Sequence, residues 1–403
     1  MNLDTHALVE KYGTPLYMYD FDYISNRYET LKEAFGGKKS LINYAVKANS
    51  NLSVISHLAK MGAGADCVSI GEVRRAIDAG VAPYRIIFSG VGKRDDEIKE
   101  ALEKDILLLN LESEAEMKRV EMVAKSLGKE ARISIRVNPN IDPQTHPYIS
   151  TGLHENKFGV ELDMAKRMYI YANKSEFLNP VGIHFHIGSQ LTNLEPIKAS
   201  CAIVADLVRS LRAIKIDIKF FDVGGGIGVV YDDEKTISPQ DYTQAIFEVT
   251  KGLDITLLCE PGRYMVANAG AFFTKVLYEK INGSKRFVIV DGAMNDLIRP
   301  SLYNAYHKIE ALGKEGDTTP ADVVGPVCES GDFFGKDVPL PPLAHNDVLV
   351  VQSAGAYGFT MASNYNTRSK PAEIALENGK DRLIRRRESY EDQVALEIEF
   401  LEK

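Results

Sequence analysis

The feature that most constrains the fold is the alternation of short apolar runs with longer amphipathic segments between about residues 41 and 262. The segments between the runs carry apolar residues at helical spacing, and several end with Gly. Alternating strands and helices pair in parallel through right-handed crossovers, so eight such units predict a (β/α)8 barrel, with a doubly wound open sheet as the alternative. The predicted strands are 41–47, 64–69, 85–90, 106–110, 131–138, 181–188, 218–226 and 255–262.

The pattern changes after about residue 270. Runs such as RFVIVD and DVLVVQS are separated by Gly- and Pro-rich turns with little helical periodicity, which predicts an antiparallel β-barrel or sandwich. The early run PLYMYD (15–20) precedes the barrel and has no partner there, so we expect it to join the C-terminal sheet. The predicted domains are a barrel over residues 22–268 and a β domain formed by residues 1–21 and 269–403.

Composition excludes several classes of partner. The 403 residues include 48 Lys and Arg against 56 Asp and Glu, a net charge of -8 that attracts neither nucleic acid nor an anionic membrane. No apolar stretch approaches the roughly 20 residues that span a bilayer, and the first residues lack the pattern of an export signal. The four cysteines are scattered without a CxxC motif. We therefore expect a cytoplasmic protein that binds neither nucleic acid nor membrane.

Candidate functional residues follow from the barrel itself, because such barrels build their active sites at the C-terminal ends of the strands. Several chemically versatile side chains occur where the predicted strands end. They are Lys47, Asp66, His184, His186, the run Gly224, Gly225 and Gly226, Glu260 and, just beyond it, Arg263.

Lys47 is the candidate nucleophile. A lysine at a strand end is most often a surface charge. At a barrel mouth, however, desolvation and neighbouring cations lower the pKa of the amine and make it nucleophilic. Such an amine can form a Schiff base with an aldehyde.

The run DVGGGIG (222–228) is a candidate phosphate site. Alone it is a weak signal, because glycines often serve only a tight turn. The loops after strands seven and eight are nevertheless the usual phosphate site of this fold, and glycines let backbone N–H groups approach phosphate oxygens. Arg263 could add positive charge and Ser189 a hydroxyl donor. Together these residues favour a phosphate-bearing ligand.

The pair His184 and His186 allows two interpretations. Residues two apart on a strand point to one face, so with Glu260 they could bind a metal ion. This gives a runner-up hypothesis, a metal-dependent hydrolase-like barrel. The metal-binding barrels place their HxH pair on the first strand, however, and an imidazole stacked on an aromatic cofactor fits equally well. We predict no metal.

Glu260 discriminates between types of cofactor chemistry. A carboxylate beside a pyridine nitrogen keeps that nitrogen protonated through a charge-assisted hydrogen bond. A protonated ring accepts the electron pair that is left when a carboxylate departs as CO2. The alternative for Glu260 is a structural glutamate at a strand end.

Ordered motifs along nearly the whole chain resemble those of the fold-type III pyridoxal-phosphate decarboxylases. The motifs are NYAVKAN, GADCVSIGE, FHIGSQ, DVGGGIG, EPGRY, GPVCESGD and the late AYG (356–358). The resemblance is greatest to the branch of this family that acts on meso-2,6-diaminopimelate. It implies pyridoxal 5'-phosphate as cofactor and release of L-lysine and CO2, the last step of lysine biosynthesis.

The resemblance also implies roles at the cofactor. Lys47 resembles the lysine that binds the cofactor as an imine, and His186 the imidazole stacked on its ring. Glu260 resembles the partner of the pyridine nitrogen, and Asp66 supports that region. The remaining cofactor contacts implied are Ser189, Gly224, Gly225, Gly226, Arg263 and Tyr357.

For the substrate, the resemblance implies binding by Arg263, Arg299, Tyr303, Glu329 and Tyr357. Cys328 and Glu329 resemble a pair donated by a second subunit, with Cys328 as the acid at the α-carbon and Glu329 as the reader of the distal ammonium group. The chain is therefore expected to form a homodimer with two shared sites, in which the β domain completes the substrate site. Without the resemblance, Cys328 would be read as packing and Arg299 as a surface residue.

Other functions remain open at this point. An alanine-racemase-like enzyme pairs the pyridine nitrogen with arginine, so Glu260 argues against it. Decarboxylases for ornithine, arginine or carboxynorspermidine differ in their distal contacts. A non-catalytic pyridoxal-phosphate carrier has no need of Cys328. The sequence leaves open feedback by lysine, strictness for the substrate, and whether Lys157 and the segment 139–162 close over it.

Overall fold

The chain divides into two compact units. The computed structural model describes residues 4–142 and 157–401. The barrel unit comprises Ser25–Val229 and Lys235–Met265, and the β unit comprises Met1–Ile24, Val230–Glu234 and Val266–Lys403. Residues 143–156, part of the segment whose closure the sequence leaves open, lie outside the described residues. The chain begins with α1 (Thr5–Tyr12), β1 (Leu16–Asp20) and α2 (Phe21–Ala34).

The barrel unit is built on eight parallel strands that form a closed barrel, with β2 paired to β9. Closure confirms the predicted (β/α)8 barrel and rules out the open sheet. The strands are β2 (Ser40–Ala45), β3 (Gly64–Cys67), β4 (Ile86–Phe88), β5 (Leu108–Leu111), β6 (Ala131–Arg136), β7 (Leu178–His184), β8 (Phe220–Asp222) and β9 (Thr256–Cys259).

One helix follows each of the first seven barrel strands, and a short helix follows the eighth. Side chains of Asn51, Ser69, Ser113 and Ser238 each accept a hydrogen bond from a backbone N–H in the first turn of the next helix, which fixes where that helix begins. The helices are α3 (Leu52–Lys60), α4 (Ile70–Asp78), α5 (Asp95–Glu103), α6 (Glu114–Leu127), α7 (Leu162–Ala172), α8 (Glu195–Ala213), α9 (Pro239–Thr250) and α10 (Arg263–Val266).

Apolar side chains fill the interior of the barrel. Ile87, Leu108, Val181 and Leu258 come from four different strands and form one buried cluster. Burial of a side chain of this size contributes about 1.5–3 kcal/mol relative to exposure. The barrel is therefore a packed core, and polar chemistry is confined to its ends.

The β unit contains a mixed sheet of nine strands in the order β14-β13-β11-β10-β1-β16-β17, with β15 pairing with β10 and β12. Its elements after β1 are β10 (Gly270–Asn282), β11 (Lys285–Val290), α11 (Arg299–Tyr303), β12 (Ile309–Ala311), β13 (Thr319–Val324), β14 (Phe333–Leu340), β15 (Val348–Val351), β16 (Ala372–Glu377), β17 (Lys380–Arg385) and α12 (Tyr390–Val394).

The early strand β1 lies between β10 and β16, so the expectation that it joins the C-terminal sheet agrees with the structure. The sheet is not wholly antiparallel as predicted, because β1 pairs with β16 and β11 with β13 in parallel. Parallel pairing needs a long connection, and residues 291–318 with α11 and β12 supply one between β11 and β13. In the described part of the chain, no helix is both long and apolar enough to cross a bilayer.

Candidate active site

Lys47 is held by a buried acid. It lies two residues beyond β2, on a single turn of 3-10 helix formed by Val46–Ala48, rather than on the strand. Its Nζ atom lies 2.8 Å from Oδ2 of Asp66 on β3, and the Lys47 side chain is 39% exposed whereas that of Asp66 is fully buried. The ion pair therefore presents an accessible amine at the C-terminal end of the barrel.

Asp66 is oriented by Ser89, directly after β4, which is itself held by Asn110 on β5. The Ser89 hydroxyl donates to Asp66 Oδ1 at 2.8 Å, and Asn110 Nδ2 donates to Ser89 Oγ at 3.0 Å. Burial raises the pKa of the Asp66 carboxyl and the charge of Glu260 raises it further, while Lys47 lowers it. Both oxygens of Asp66 are thus engaged, one with the amine and one with the hydroxyl.

Glu260, directly after β9, has one side-chain oxygen that no described residue hydrogen-bonds. Its Oε2 atom lies 3.3 Å from His184 Nε2, an ion-pair distance without hydrogen-bond geometry. Its Oε1 atom is buried and has no hydrogen-bond partner among the described residues. Because buried polar atoms are normally satisfied, this oxygen is suited to a donor on a ligand.

The charges around Glu260 favour its ionised form. Burial alone would raise the pKa of Glu260, but His184 and Lys47 lower it below its ordinary value. Burial and the charge of Glu260 raise the pKa of Asp222 well above its ordinary value. Glu260 is therefore the member of this pair that carries the negative charge.

The metal-binding set suggested by the sequence is not the one that the structure assembles. Ligand atoms of His184, Asp222 and Glu260 lie within 4.8 Å of one another, so Asp222 takes the place expected for His186. His184 is the last residue of β7, whereas His186 lies beyond it, where the alternation of a strand no longer applies.

His186 is a neutral imidazole tied to the glycine loop. Its Nδ1 atom accepts a hydrogen bond from the Gly225 N–H at 3.2 Å, which places the ring proton on Nε2. Burial lowers the pKa of His186 well below its ordinary value, and Arg136 and Lys47 lower it further. Arg136 also donates to the His186 carbonyl at 3.2 Å and pairs with Glu112 at 2.9 Å, so the position of His186 is fixed by its backbone as well.

The glycine loop after β8 admits no side chain. A Cβ atom on Gly225 would lie 2.2 Å from the Glu260 carbonyl oxygen, and one on Gly226 would lie 2.4 Å from that of Gly188. Gly226 also has a φ of +106°, which favours glycine. The loop is anchored by the Leu191 N–H, which donates to the Gly226 carbonyl at 2.8 Å.

Arg263 and Ser189 form a hydrogen-bonded pair in the same unit, in which Arg263 carries the positive charge. The Nε and Nη2 atoms of Arg263 both donate to Ser189 Oγ, at 3.3 and 3.1 Å. Arg263 is buried, so its charge acts at a site with little water. A buried guanidinium, a hydroxyl and a tight glycine loop are the elements of an anion site.

The β unit contains the other predicted residues. Arg299 is buried at the start of α11, where its Nε atom donates to His307 Nε2 at 3.2 Å, and Tyr303 ends the same helix half-buried. Tyr357 is half-buried with a φ of +57°, a left-handed conformation that non-glycine residues adopt rarely.

Cys328 and Glu329 lie on an exposed loop between β13 and β14. Asn366 Oδ1 accepts from the Cys328 N–H at 3.0 Å, and buried Asp332 accepts from the neighbouring Val327 N–H at 2.7 Å. A hydrogen bond to Glu329 raises the pKa of Tyr365. The backbone of this loop is held in place while both side chains remain exposed.

Lys47, Asp66, His186 and Glu260 thus come together in the barrel unit, as do the glycine loop, Ser189 and Arg263. The remaining predicted residues lie in the β unit. Sequence reasoning missed Asp222, although an acid that begins the run DVGGGIG at a strand end was a signal. It also did not name His307, the partner of Arg299, for which the sequence offers no signal beyond a single histidine in a loop.

Comparison with protein families gives the class. Residues 21–267 match the family model for the pyridoxal binding domain of the pyridoxal-dependent decarboxylases. That match spans more than half of the chain, and the chain belongs to this family.

Individual relatives refine the class to the diaminopimelate decarboxylases. The chain is 59% identical to diaminopimelate decarboxylase of Campylobacter jejuni over 400 residues, covering 99% of this chain and all of the relative. It is 57% identical to that of Helicobacter pylori strain J99, covering 98% of each. A crystal structure of the Helicobacter pylori enzyme complexed with L-lysine matches with a TM-score of 0.96 and 56% identity, covering 99% of this chain and all of that one.

Proposed function

We propose that this protein is a pyridoxal-phosphate-dependent decarboxylase that converts meso-2,6-diaminopimelate to L-lysine and CO2, the last step of lysine biosynthesis. The observation that carries the proposal is 59% identity over the full length of a diaminopimelate decarboxylase. A similar enzyme has been crystallised with L-lysine, the product of this reaction.

Pyridoxal 5'-phosphate fits the donors of the barrel unit. The unpartnered Oε1 atom of Glu260 is suited to the pyridine N–H, and Arg263 with Ser189 and the glycine loop is suited to the phosphate. Lys47 offers the amine for the aldehyde. When bound, the cofactor supplies that aldehyde and a protonated ring that accepts the electron pair released with CO2.

The residues of the barrel unit then divide the work. Asp66 holds the Lys47 ammonium whenever the amine is not bound to the cofactor, at the 2.8 Å distance observed. Ionised Glu260 would hold the proton on the ring nitrogen of the bound cofactor. Neutral His186 would pack against that ring without adding a second positive charge.

Residues of the β unit bind the distal groups of the substrate, those away from the reacting α-carbon. meso-2,6-Diaminopimelate carries a second carboxylate and a second ammonium group, and both need partners when they leave water. We assign the carboxylate to Arg299, with Tyr303, and the ammonium to Glu329. Arg263 and Tyr357 complete the contacts to the substrate. The Cys328 thiol donates the proton that replaces CO2 at the α-carbon, and it returns to its protonated form from solvent.

A substrate panel tests the reaction directly. CO2 release is measured with the purified protein and pyridoxal phosphate on meso-2,6-diaminopimelate, L-ornithine, L-arginine and carboxynorspermidine. We expect turnover of meso-2,6-diaminopimelate to exceed that of the others by at least about 100-fold in kcat/KM, since a site built for polar groups rejects analogues that lack them. A preference for any other substrate on the panel, or absence of CO2 release, contradicts the proposal.

A homodimer with shared sites belongs to the same proposal. Support comes from the exposure of Cys328 and Glu329, whose side chains lie on an ordered loop. Lys47→Ala and Cys328→Ala protomers, each inactive alone, are mixed under conditions that exchange subunits. We expect recovery of about a quarter of wild-type activity. On random exchange half of the dimers contain one protomer of each kind, and each of these mixed dimers has one intact site out of two. No recovery after verified exchange contradicts a shared site.

We also infer a cytoplasmic location. All four cysteines are free and three of them are buried. Free thiols are typical of a reducing compartment. Fractionation of the source cells with an antibody to the protein tests this, and recovery in an exported fraction contradicts it.

A further inference from the structure

Arg299 is connected to a buried histidine that none of the roles above uses. Within the β unit, Arg299 Nε donates to His307 Nε2 at 3.2 Å, and His307 Nδ1 lies 2.9 Å from the Gln352 carbonyl oxygen. The exposed fractions of Arg299 and His307 are only 6% and 3%. The contact is therefore protected from competing water.

These two contacts fix the protonation of His307. A carbonyl oxygen only accepts hydrogen bonds, so His307 Nδ1 carries the hydrogen. A guanidinium Nε only donates, so His307 Nε2 has no hydrogen and accepts. His307 is consequently a neutral imidazole in one tautomer, and the ring can face Arg299 only in that form.

Two further contacts restrict the guanidinium and the imidazole. The Arg299 guanidinium lies 5.1 Å from the centre of the Tyr231 ring, and the Tyr231 ring meets that of His307 edge-on at 5.5 Å. Gln352, whose carbonyl receives the His307 hydrogen, also donates from its side chain to Glu310 at 3.1 Å. The aromatic face of Tyr231 and the hydrogen bond to His307 thus both restrict the plane of the guanidinium.

We propose that His307 is a positioning residue that directs Arg299 toward the distal carboxylate of the substrate. Because Nε of Arg299 faces His307, a carboxylate must be bound end-on by the edge that carries the two Nη atoms, since bidentate binding through the Nε edge would displace the histidine. This inference rests on the proposed function, in which Arg299 binds that carboxylate.

Two substitutions separate the two hydrogen bonds of His307. His307→Gln places an amide oxygen near the former Nε2 position and so retains an acceptor for Arg299. His307→Asn places an amide nitrogen near the former Nδ1 position, retaining the donor to Gln352 but removing the acceptor. If His307 were only structural, His307→Gln and His307→Asn would have equal effects on the enzyme. Each variant therefore serves as a matched control for the other.

The readout is the preference of the enzyme for inhibitors with a carboxylate. Inhibition constants are measured for L-lysine, which carries the distal carboxylate, and for 1,5-diaminopentane, which lacks it. We expect wild-type protein to bind L-lysine more tightly. His307→Asn should reduce that preference by about tenfold and raise KM for meso-2,6-diaminopimelate similarly with kcat little changed, while His307→Gln retains most of the preference.

An unchanged preference in His307→Asn, or equal losses in both variants, would overturn the inference. Should His307→Asn fail to fold, His307→Gln carries the test with Arg299→Lys as the reference for loss of the preference. Retention of the preference in His307→Gln then supports the inference, and its loss there with normal pyridoxal-phosphate binding overturns it. Failure of wild-type protein to release CO2 from meso-2,6-diaminopimelate identifies a failure of the proposed function instead.

Discussion

The two units of the molecule hold their functional residues in different ways. In the barrel unit, Lys47 pairs with buried Asp66, and buried Glu260 and half-buried His186 lie on the turns after the strands. In the β unit, Cys328 and Glu329 are exposed on a loop, and only Arg299 is buried among supporting side chains. The barrel unit thus holds its functional side chains in fixed positions within one chain, whereas several of the predicted functional side chains of the β unit are exposed.

This difference corresponds to a division of tasks. Bond-breaking chemistry gains from dipoles and charges fixed in a site with little water. Discrimination between one substrate and several similar amino acids requires only a few adaptable contacts, and loops supply these. Substitutions in the barrel unit should therefore act mainly on kcat, and those of Arg299 and Glu329 in the β unit mainly on the choice of substrate.

The largest effect is expected from Lys47→Ala. Loss of the nucleophilic amine should lower CO2 release from meso-2,6-diaminopimelate by about 1000-fold or more. Lys47→Arg is the matched control, because it keeps a cation beside Asp66 without an amine that forms an imine. Comparable activity in Lys47→Ala and wild type would show that the barrel unit is not the chemical centre.

Glu260→Gln should lower kcat by about 100- to 1000-fold, because the amide keeps the shape of the carboxylate but not the charge that holds the ring nitrogen protonated. Steady-state rates on meso-2,6-diaminopimelate measure this. A change confined to KM would contradict the division of tasks.

The pH profile gives the same residue a second test. The neighbours of Glu260 lower its pKa, so it stays ionised as the pH falls from about 8 to 5. Any loss of kcat in that interval must then come from the titration of other groups. In Glu260→Gln, the fall of kcat at low pH, the acid limb of the profile, should occur at the same pH as in wild type. A shift of the limb in that variant would assign the limb to Glu260.

A smaller effect is expected from Glu329→Ala. Removing the partner of the distal ammonium should lower kcat/KM for meso-2,6-diaminopimelate by about 10- to 100-fold, the value of a charged hydrogen bond. The effect should fall on KM and on discrimination against L-ornithine. Glu315→Ala, which removes another exposed glutamate of the β unit, is the control and should leave kcat/KM unchanged. Intact turnover in Glu329→Ala would refute the assigned role.

The smallest effect concerns stability. Burial raises the pKa of Asp296 to about 7, against the lowering effects of the Ala293 N–H and Arg368. The native state therefore binds this proton more tightly than the unfolded chain, and stability falls as the pH rises from the unfolded pKa near 4 through 7. Between pH 6 and 8 this group removes about 1.4 kcal/mol from the free energy of unfolding.

Asp296→Asn should lose that part of the pH dependence. Denaturant unfolding of both proteins at the two pH values measures the difference. Asp296 accepts hydrogen bonds from the Ala293 N–H and the Asn295 amide and is assigned no part in binding the substrate, so the substitution should leave substrate choice unchanged. An equal pH dependence in variant and wild type would contradict the assignment.

The sequence predicted the barrel unit better than the β unit, for physical reasons. Barrel strands alternate with helices at regular spacing, and strand ends converge by topology, so Lys47, Asp66 and Glu260 could be placed before the structure. The parallel pairing of β1 with β16 has no local signal, because the two strands are about 350 residues apart. The prediction that His186 lies on the same strand face as His184 was wrong, because His186 lies beyond β7. His307 was not named, because one histidine in a loop forms no pattern.

The central claim is that the barrel unit binds pyridoxal phosphate covalently through Lys47. The direct measurement is to load the purified protein with the cofactor, reduce it with borohydride and map the labelled peptide by mass spectrometry. We expect a coloured complex whose colour is lost on reduction, with the cofactor fixed to Lys47. A protein that stays colourless, or a label on any other lysine, would contradict it.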